Sequence, residues 1–347
     1  MDIKRVCLLL LIVVGAVGAV GAVGAWCQAS TFWLGADISG TTELEAKGVQ
    51  IYNAKGEPRE NTALMKELGM NMIRLRVWVN PKDGFSSKED VLVMAKRAKE
   101  LGMAIMIDFH YSDWWADPGK QNIPQAWKDY NYEQMKQALA RHTRETLQLL
   151  KANGIDVKWV QVGNETTNGF LWPMGRAQEH MDQYAGLTDA GYAAVKEVYP
   201  QATVIVHLDC ACDPHRYDFI FDGLRKYGAR FDMIGVSVYP YWDMDSKLVN
   251  DWHETVEKFA ANLRRISQKY GVETMVVETG VETKKPVEGK VILKEIINAA
   301  KHHTDGHCHG VIYWAPELEG QYPLGAFENH RPTVIMEAFT EAAAEKE

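Results

Sequence analysis

Residues 72–111 have the sequence MIRLRVWVNPKDGFSSKEDVLVMAKRAKELGMAIMIDFHY, and the fold is predicted from this stretch. Met72–Val79 is rich in apolar residues and short enough for a buried strand. Ser87–Glu100 has apolar residues at helical spacing and is followed by Leu101 and Gly102, which is a usual helix ending. Ala104–Tyr111 is a second apolar run. The order strand, helix, strand predicts a βαβ unit with two parallel strands.

The same alternation recurs along the chain. We predict eight strands, at Leu34–Ser39, Met72–Val79, Ala104–Tyr111, Val157–Val162, Ala202–Asp209, Phe231–Tyr239, Thr274–Thr279 and Gly310–Trp314. The amphipathic stretches between them include Ser87–Glu100, Tyr132–Ala152, Met181–Val198, Leu248–Tyr270 and Lys290–Lys301. Eight βα repeats predict an α/β protein with a single (β/α)8 TIM barrel, over residues 30–347. A doubly wound sheet is disfavoured because residues 37–41 (DISGT) after the first strand lack the glycine-rich phosphate loop.

The first residues have the pattern of an export signal. Lys4 and Arg5 precede an apolar run from Val6 to about Ala25, and small residues follow near Ala29. This pattern predicts a signal peptide over residues 1–29 and a secreted, periplasmic or cell-surface protein. A retained membrane anchor is the alternative, because the apolar run is long enough to span a bilayer.

Composition excludes several classes of protein. The 347 residues carry 38 Lys and Arg against 46 Asp and Glu, a net charge of −8, so a nucleic-acid partner is not expected. The three cysteines beyond residue 29 do not describe a disulfide framework, and we expect buried or partly buried thiols. Eleven tryptophans exceed the usual need of one core, and exposed aromatic rings are good platforms for sugars.

Polar side chains concentrate where the predicted strands end. These positions carry Asp37, Arg76, Trp78, Asp108, His110, Asn164, Glu165, His207, Asp209, Tyr239, Glu278, Trp314 and Glu317. In TIM barrels the active site lies at the carboxyl ends of the strands. The sequence therefore predicts an active site at this face.

Two carboxylates in this set suggest a reaction. Glu165 ends the fourth predicted strand and Glu278 the seventh, so the two side chains face each other across the barrel mouth. Glycosidic cleavage uses such a pair, in which one carboxyl protonates the leaving oxygen and the other attacks or activates water. Either residue alone would be explained as well by an ion pair at a helix end.

Longer motifs resemble the arabinogalactan endo-β-1,4-galactanase family, glycoside hydrolase family 53, within the retaining (β/α)8 glycoside hydrolase clan. The resemblance runs in order from Leu34 to the final helix. It is carried by residues 34–39 (LGADIS), 72–81 (MIRLRVWVNP), 108–121 (DFHYSDWWADPGKQ), 124–127 (PQAW), 161–166 (QVGNET), 169–173 (GFLWP), 237–242 (SVYPYW) and 278–280 (ETG).

The resemblance implies roles for these residues. Glu165 would be the acid/base with a raised pKa, and Glu278 the ionised nucleophile, about 5–5.5 Å away. Arg76 would hold Glu278 as a carboxylate, with Arg74 deeper and structural. Asn164 would bind the sugar 2-hydroxyl. The remaining support residues are Asp37, His110 and Tyr239, with Trp115 and Trp314 as stacking platforms and Trp78, Trp172 and Trp242 as further candidates.

The expected substrate is β-1,4-galactan, cleaved by an endo-acting monomer without a cofactor or protein partner. No metal site is predicted, because Cys210 and Cys212 alone are poor zinc ligands and the histidines near Cys308 lie away from the working face. Two alternatives remain: another hydrolase of the clan (a mannanase, xylanase or glucanase), or a non-catalytic sugar-binding barrel on a cell surface.

Overall fold

The computed structural model describes residues 31–320 and 322–345. Eight parallel strands close a barrel in chain order, each hydrogen-bonded to its sequence neighbours and β8 to β1. The strands are β1 Trp33–Asp37, β2 Met72–Val77, β3 Ala104–Phe109, β4 Trp159–Val162, β5 Thr203–Leu208, β6 Met233–Val238, β7 Glu273–Thr279 and β8 Cys308–Trp314. The predicted (β/α)8 barrel is confirmed, and every predicted strand end lies within two residues of the observed one.

Helices surround the barrel. They are α1 Thr41–Ala46, α2 Asn61–Glu67, α3 Lys88–Glu100, α4 Tyr132–Ala152, α5 Ala177–Val198, α6 Pro214–Lys226, α7 Pro240–Asp245, α8 Trp252–Tyr270, α9 Pro286–His302 and α10 Glu337–Ala344. A short antiparallel pair, β9 Phe327–Glu328 and β10 Arg331–Pro332, precedes α10. Tyr132–Ala152 agrees with its prediction residue for residue, and a capping box between Asn131 and Gln134 explains its sharp start.

The interior of the barrel changes from apolar to polar along the strands. At the amino ends, inward side chains form a closed cluster of Met72, Met106, Trp159, Ile205, Met233, Met275, Val277 and Ile312. Two residues further along β2 and β3 the inward positions are Arg74 and Asp108, both fully buried. Because side chains alternate along a strand, this order places the charged groups above an apolar floor at the carboxyl end.

A bulge in β7 sets the direction of one predicted site residue. Val236 of β6 pairs with Val276, but the next residue, Ser237, pairs with Glu278, so Val277 is extra. A bulge shifts the alternation by one residue and re-aims the side chains beyond it. Glu278 therefore shares the inward face with Ser237.

Within residues 31–320 and 322–345, no helix combines the length and the apolarity needed to cross a membrane. The predicted signal peptide lies outside the described residues.

Candidate active site

A cavity of about 450 Å³ opens at the carboxyl ends of the strands. Seven of the nine predicted site residues line it: His110, Trp115, Asn164, Glu165, Tyr239, Glu278 and Trp314. The other two, Asp37 and Arg76, are buried beside it. The volume is in the range of small-molecule sites, and aromatic walls with a few convergent polar groups are typical of such sites.

Glu165 lies in the turn that follows β4. Gly163 and Glu165 both have positive φ, 91° and 45°, so the chain reverses sharply and turns the carboxylate toward the barrel axis. A non-glycine residue is strained in this conformation and keeps it only where its surroundings hold it. Here Gln121 donates to the carbonyl of Asn164 at 2.8 Å, and the Glu165 amide approaches His207 Nδ1 at 3.3 Å.

The surroundings of Glu165 favour its protonated form. Burial raises the pKa of Glu165 well above its ordinary value, and Glu278 and Asp209 raise it further. The hydroxyl of Ser237 donates to Glu165 Oε1 at 2.7 Å and opposes this rise. The raised pKa agrees with the expectation for a group that donates a proton near neutral pH.

A short chain of hydrogen bonds supports the Ser237 hydroxyl. His207 Nε2 lies 2.8 Å from Ser237 Oγ, and Gln161 Nε2 lies 3.0 Å from His207 Nδ1. Burial, followed by the charge of Arg74, lowers the pKa of His207 well below its ordinary value, so the ring is neutral. Two donors face Nδ1, Gln161 Nε2 and the Glu165 amide, against one acceptor, Asn164 Oδ1 at 3.0 Å. We therefore assign the proton to Nε2, so His207 donates to Ser237 and Ser237 donates to Glu165.

Glu278 lies opposite, and one of its oxygens lies within 4.8 Å of an oxygen of Glu165. Its Oε1 pairs with Arg74 Nη2 at 2.9 Å, and the hydroxyl of Tyr239 donates to Oε2 at 3.2 Å. Burial raises the pKa of Glu278 to about 7, while Arg74 and Tyr239 oppose the rise. We expected an ionised carboxyl at this position, and the Arg74 guanidinium and the Tyr239 hydroxyl are the groups that favour that form.

The proton of this pair belongs on Glu165. Arg74 is the main opponent of the rise in the pKa of Glu278 but has only a minor effect on Glu165. Two carboxyls this close cannot both ionise freely, so the better-stabilised anion sets the assignment. The geometry therefore gives one carboxyl able to donate a proton and one anionic oxygen beside it.

Arg74 contacts most of the charged groups that lie below the cavity. Its side chain is fully buried and donates to Gln161 at 2.7 Å, Asp37 at 2.6 Å and Asp108 at 3.0 Å. A fourth bond, at 2.8 Å, reaches Asn164 Oδ1. Burial by itself lowers the pKa of Arg74, but the surrounding carboxylates outweigh it and raise that pKa.

The prediction that Arg76 holds Glu278 is wrong, because Arg74 does so. Arg76 lies one layer further along β2, where its Nη2 donates to Ser86 Oγ at 3.0 Å. Its guanidinium lies 4.4 Å from the ring centre of Trp78 and 3.9 Å from that of Trp115. Both arginines lie on the same face of β2, because they are two residues apart, and the one nearer the floor, Arg74, is the one that reaches Glu278.

Two predicted support residues, Asp37 and His110, have defined partners. Asp37 accepts from Arg74 and Ser39 and so fixes the guanidinium. His110 Nδ1 accepts from the Ala116 amide at 3.0 Å while its Nε2 faces Asp108 at 3.0 Å. Burial lowers the pKa of His110, so the neutral ring donates to Asp108.

Asn164 uses part of its amide within the protein. Its Oδ1 accepts from Arg74, and its Nδ2 donates to the Ala116 carbonyl at 2.9 Å. An amide nitrogen carries two hydrogens, so one remains for a ligand in the cavity.

The aromatic residues divide into platforms and packing. Trp115 and Trp314 line the cavity with ring centres 5.5 Å apart, and Trp242 lines it with a 43% exposed side chain. Trp78 is 3% exposed and packs under Arg76, so it is not a surface for sugar. Trp172 packs against Arg176 at 4.5 Å and does not line this cavity.

The sequence did not predict Ser237 as a site residue, and it placed His207 at a strand end without giving it a role. The available signal was an imidazole at an inward position of β5 and a hydroxyl at an inward position of β6. Tyr322 was also missed; it lines the cavity beside Trp314, with ring centres 4.9 Å apart. It follows β8 in a loop, where no strand periodicity indicates direction.

Comparison with known proteins agrees with this geometry. The family model "Glycosyl hydrolase family 53" matches residues 33–323. The chain is 33% identical over 323 residues to the probable arabinogalactan endo-β-1,4-galactanase A of Neosartorya fischeri, covering 86% of this chain and 88% of that protein. It is 34% identical over 256 residues to the endo-β-1,4-galactanase of Bacillus subtilis, covering 72% of this chain and 56% of that protein.

A solved structure gives the same result. The barrel superposes on a structure described as one of two fungal β-1,4-galactanases with a TM-score of 0.81, at 26% identity, covering 89% of this chain and 98% of that one. The predicted resemblance is thereby confirmed, and the chain belongs to glycosyl hydrolase family 53.

Proposed function

We propose that this chain is an endo-acting β-1,4-galactanase that cleaves galactan and type I arabinogalactan with retention of configuration. The observation that carries the proposal is the facing pair Glu165 and Glu278, with one oxygen of each within 4.8 Å of the other. Retaining glycosidases hold their carboxyls about 5–5.5 Å apart, whereas inverting enzymes separate them by about 6.5–9.5 Å to admit a water. The galactan specificity is proposed from the related proteins, which are named endo-β-1,4-galactanases.

In the proposed mechanism, Glu278 attacks the anomeric carbon and forms a glycosyl ester. The bond to the leaving oxygen breaks as Glu165 gives that oxygen its proton. Glu165, now anionic, takes a proton from a water that attacks the anomeric carbon, and Glu278 leaves as a carboxylate. The remaining Asn164 hydrogen would bind the 2-hydroxyl, and Arg74 would hold Glu278 in position.

The test combines substrate choice with matched variants. Galactan, mannan and xylan are offered to the wild type, Glu165→Gln and Glu278→Gln, and the first-formed product anomer is followed by proton NMR. We expect cleavage of galactan to a β-configured reducing end and a loss of at least about 100-fold in either variant. Undiminished cleavage by either variant would overturn the mechanism, and cleavage of mannan but not galactan would overturn the substrate.

The role of Glu165 has its own diagnostic. In Glu165→Ala, a small anionic nucleophile such as azide can enter where the carboxylate stood and needs no base. With an activated aryl galactoside, azide should restore turnover and give the β-galactosyl azide. The same addition should not give that β product in Glu278→Ala, because no glycosyl ester forms there.

We also propose that residues 1–29 are an export signal and that the protein acts outside the cytoplasm as a monomer. The basic start, the apolar run and the small residues before Ser30 support the signal. Intact-mass analysis of the exported protein should give a chain that begins at Ser30, and light scattering should give the mass of one chain. A mass that includes residues 1–29 would favour the retained anchor.

A further inference from the structure

We propose that Cys210, Cys212 and Asp243 form a binding site for one thiophilic divalent cation, with Zn²⁺ as the reference ion, in the wall of the cleft. Cys210 and Cys212 follow β5, and Asp243 lies on α7. One donor atom from each, two sulfurs and an oxygen, lies within 4.8 Å of the other two. The sequence alone offered only the two cysteines, which are too few ligands, and the fold supplies the third donor.

The spacing is compatible with tetrahedral zinc. Zinc–sulfur bonds near 2.3 Å and zinc–oxygen bonds near 2.1 Å place sulfur and oxygen ligands roughly 3.6 Å apart, and two sulfurs roughly 3.8 Å apart. Cys210 Sγ lies 3.4 Å from Asp243 Oδ1. This pair is close to the ligand spacing of zinc, and the other two separations, each below 4.8 Å, exceed it by about 1.2 Å at most.

The donor atoms are held by the surrounding chain. Cys210 has a left-handed φ of 55°, and its sulfur lies within 4.8 Å of that of Cys212. Asn262 Nδ2 donates to the carbonyl of Ala211, between the cysteines, at 2.8 Å. The hydroxyl of Thr255 donates to Asp243 Oδ2 at 3.2 Å and leaves Oδ1 facing the thiol. A carboxylate ligand that is oriented by a second hydrogen bond is a recurrent feature of metal sites.

Neighbouring charges leave room for a cation. Arg216 pairs with Asp209 and lies 3.7 Å from Asp213, and Lys258 pairs with Glu254 at 2.7 Å. Both nearby cations therefore have carboxylate partners of their own. Binding would release the thiol protons, because zinc takes thiolates as ligands.

The position of the site connects it to the active cleft. Cys210 and Asp243 line the same cavity as Glu165 and Glu278. Zinc with three protein ligands keeps a fourth position for water or another oxygen. An ion here would offer that position to a solvent molecule or a sugar hydroxyl, so occupancy should change substrate binding.

The experiment must distinguish this site from a second group of possible metal ligands. Oxygens of Glu165 and Glu278 and a nitrogen of His207 also lie within 4.8 Å of one another. That set contains no sulfur, so inhibition by zinc would not by itself distinguish the two. Cd²⁺ does, because a cadmium–thiolate bond gives an ultraviolet charge-transfer band.

The experiment titrates the purified, reduced protein with Cd²⁺ and then displaces it with Zn²⁺. We expect a thiolate band that saturates at one ion per chain and persists in the control Cys308→Ser, whose thiol is buried at the start of β8. Cys210→Ser should lose the band, and Thr255→Val should weaken the affinity about tenfold. Glu278→Gln should keep the band.

A second measurement does not depend on the folding of variants. Zn²⁺ should protect Cys210 of the wild type from alkylation by iodoacetamide, as read by peptide mass spectrometry. Absence of a thiolate band in the wild type, a band that survives in Cys210→Ser, or alkylation that zinc does not slow would each overturn the proposal.

Discussion

Arg74 is a single buried cation that faces three carboxylates, Asp37, Asp108 and Glu278. Burying any one of these charges is costly unless the partner is present. Burial tends to raise the pKa of Asp108, yet Arg74 and His110 outweigh it and hold that pKa below its ordinary value. The arginine thus keeps the floor of the cleft anionic while remaining out of reach of solvent.

Replacing Arg74 should therefore damage both folding and catalysis. We expect Arg74→Met to lower the free energy of unfolding by about 3–5 kcal/mol, because it leaves uncompensated buried carboxylates. Arg74 also lowers the pKa of Glu278, so its loss should move the acidic limb of kcat/KM to higher pH. Urea unfolding and a pH–rate profile measure the two effects.

Arg76→Met is the matched control, since both arginines are buried on β2. It should cost packing against Trp78 and Trp115 but leave the acidic limb in place. A shift of the acidic limb in Arg76→Met, with none in Arg74→Met, would restore the role that the sequence predicted for Arg76.

Ser237 tunes Glu165 through one hydrogen bond. A hydroxyl that donates to a carboxylate stabilises the charged form and lowers its pKa. Ser237→Ala should raise the pKa of Glu165, and because cleavage needs the protonated acid, the alkaline limb of kcat/KM should move to higher pH. The rate at the optimum should fall by less than about tenfold, against about 10²–10⁴ for loss of a general acid.

Ser237→Thr provides the rescue for this experiment, because it keeps the hydroxyl. Its alkaline limb should lie near that of the wild type. A limb that moves downward in Ser237→Ala, or equally in both variants, would mean that Ser237 has only a packing role.

At the scale of elements, the strands were predictable because their apolar runs are short and separated by amphipathic helices. The ends of the strands were less predictable, because residues in the left-handed conformation follow several strands and terminate them. Tyr111, Glu165, Cys210 and Ala315 come after β3, β4, β5 and β8, each with a φ of 45–55°. Propensity does not place such residues in this conformation.

The site was predictable as a set of residues but not as a set of contacts. The strand ends correctly located Glu165 and Glu278 at one cavity. The bulge in β7 sets the direction of Glu278, and Arg74, not Arg76, is the arginine that meets it; neither outcome can be read from the local sequence pattern. Tertiary geometry therefore supplied what alternation alone could not.

The barrel strands also depend on close approaches at glycines, one of them at Gly235 of β6. A Cβ there would lie 2.7 Å from Ile205 Cγ2 and 3.0 Å from Val277 Cγ2, both in the apolar cluster inside the barrel. We expect Gly235→Ala to lower the free energy of unfolding by about 1–3 kcal/mol through overpacking. The control Gly119→Ala meets nothing closer than 3.4 Å and should change it little. Equal urea midpoints for the two variants would contradict this account.

At the scale of the whole molecule, several buried carboxyls bind protons more tightly in the folded state than in the unfolded chain. Burial raises the pKa of Glu317 to about 8, with Asp37 adding to the rise and Arg76 opposing it. Neither carboxylate oxygen of Glu317 accepts a hydrogen bond of good geometry from the part of the chain that the structure describes. The pKa values of Glu165 and Glu278 are raised as well.

The raised pKa values fix the sign of the pH dependence of stability. A carboxyl whose pKa is higher in the folded state contributes its full stability below the unfolded pKa and loses it as pH rises through the folded value. For Glu317 the window runs from 4.5 to about 8. A tenfold change in proton affinity corresponds to about 1.4 kcal/mol, so ionising Glu317 should cost roughly 3–5 kcal/mol across the window.

Glu317→Gln isolates this contribution, because the amide resembles the protonated carboxyl while Glu165 and Glu278 still titrate. The variant should differ little from the wild type in urea unfolding near pH 4.5 and should become more stable than it by roughly 3–5 kcal/mol at about pH 8. Glu133→Gln, at an exposed position in the first turn of α4, controls for the substitution itself. A constant difference between Glu317→Gln and the wild type at all pH values would show that the carboxyl does not titrate in this window.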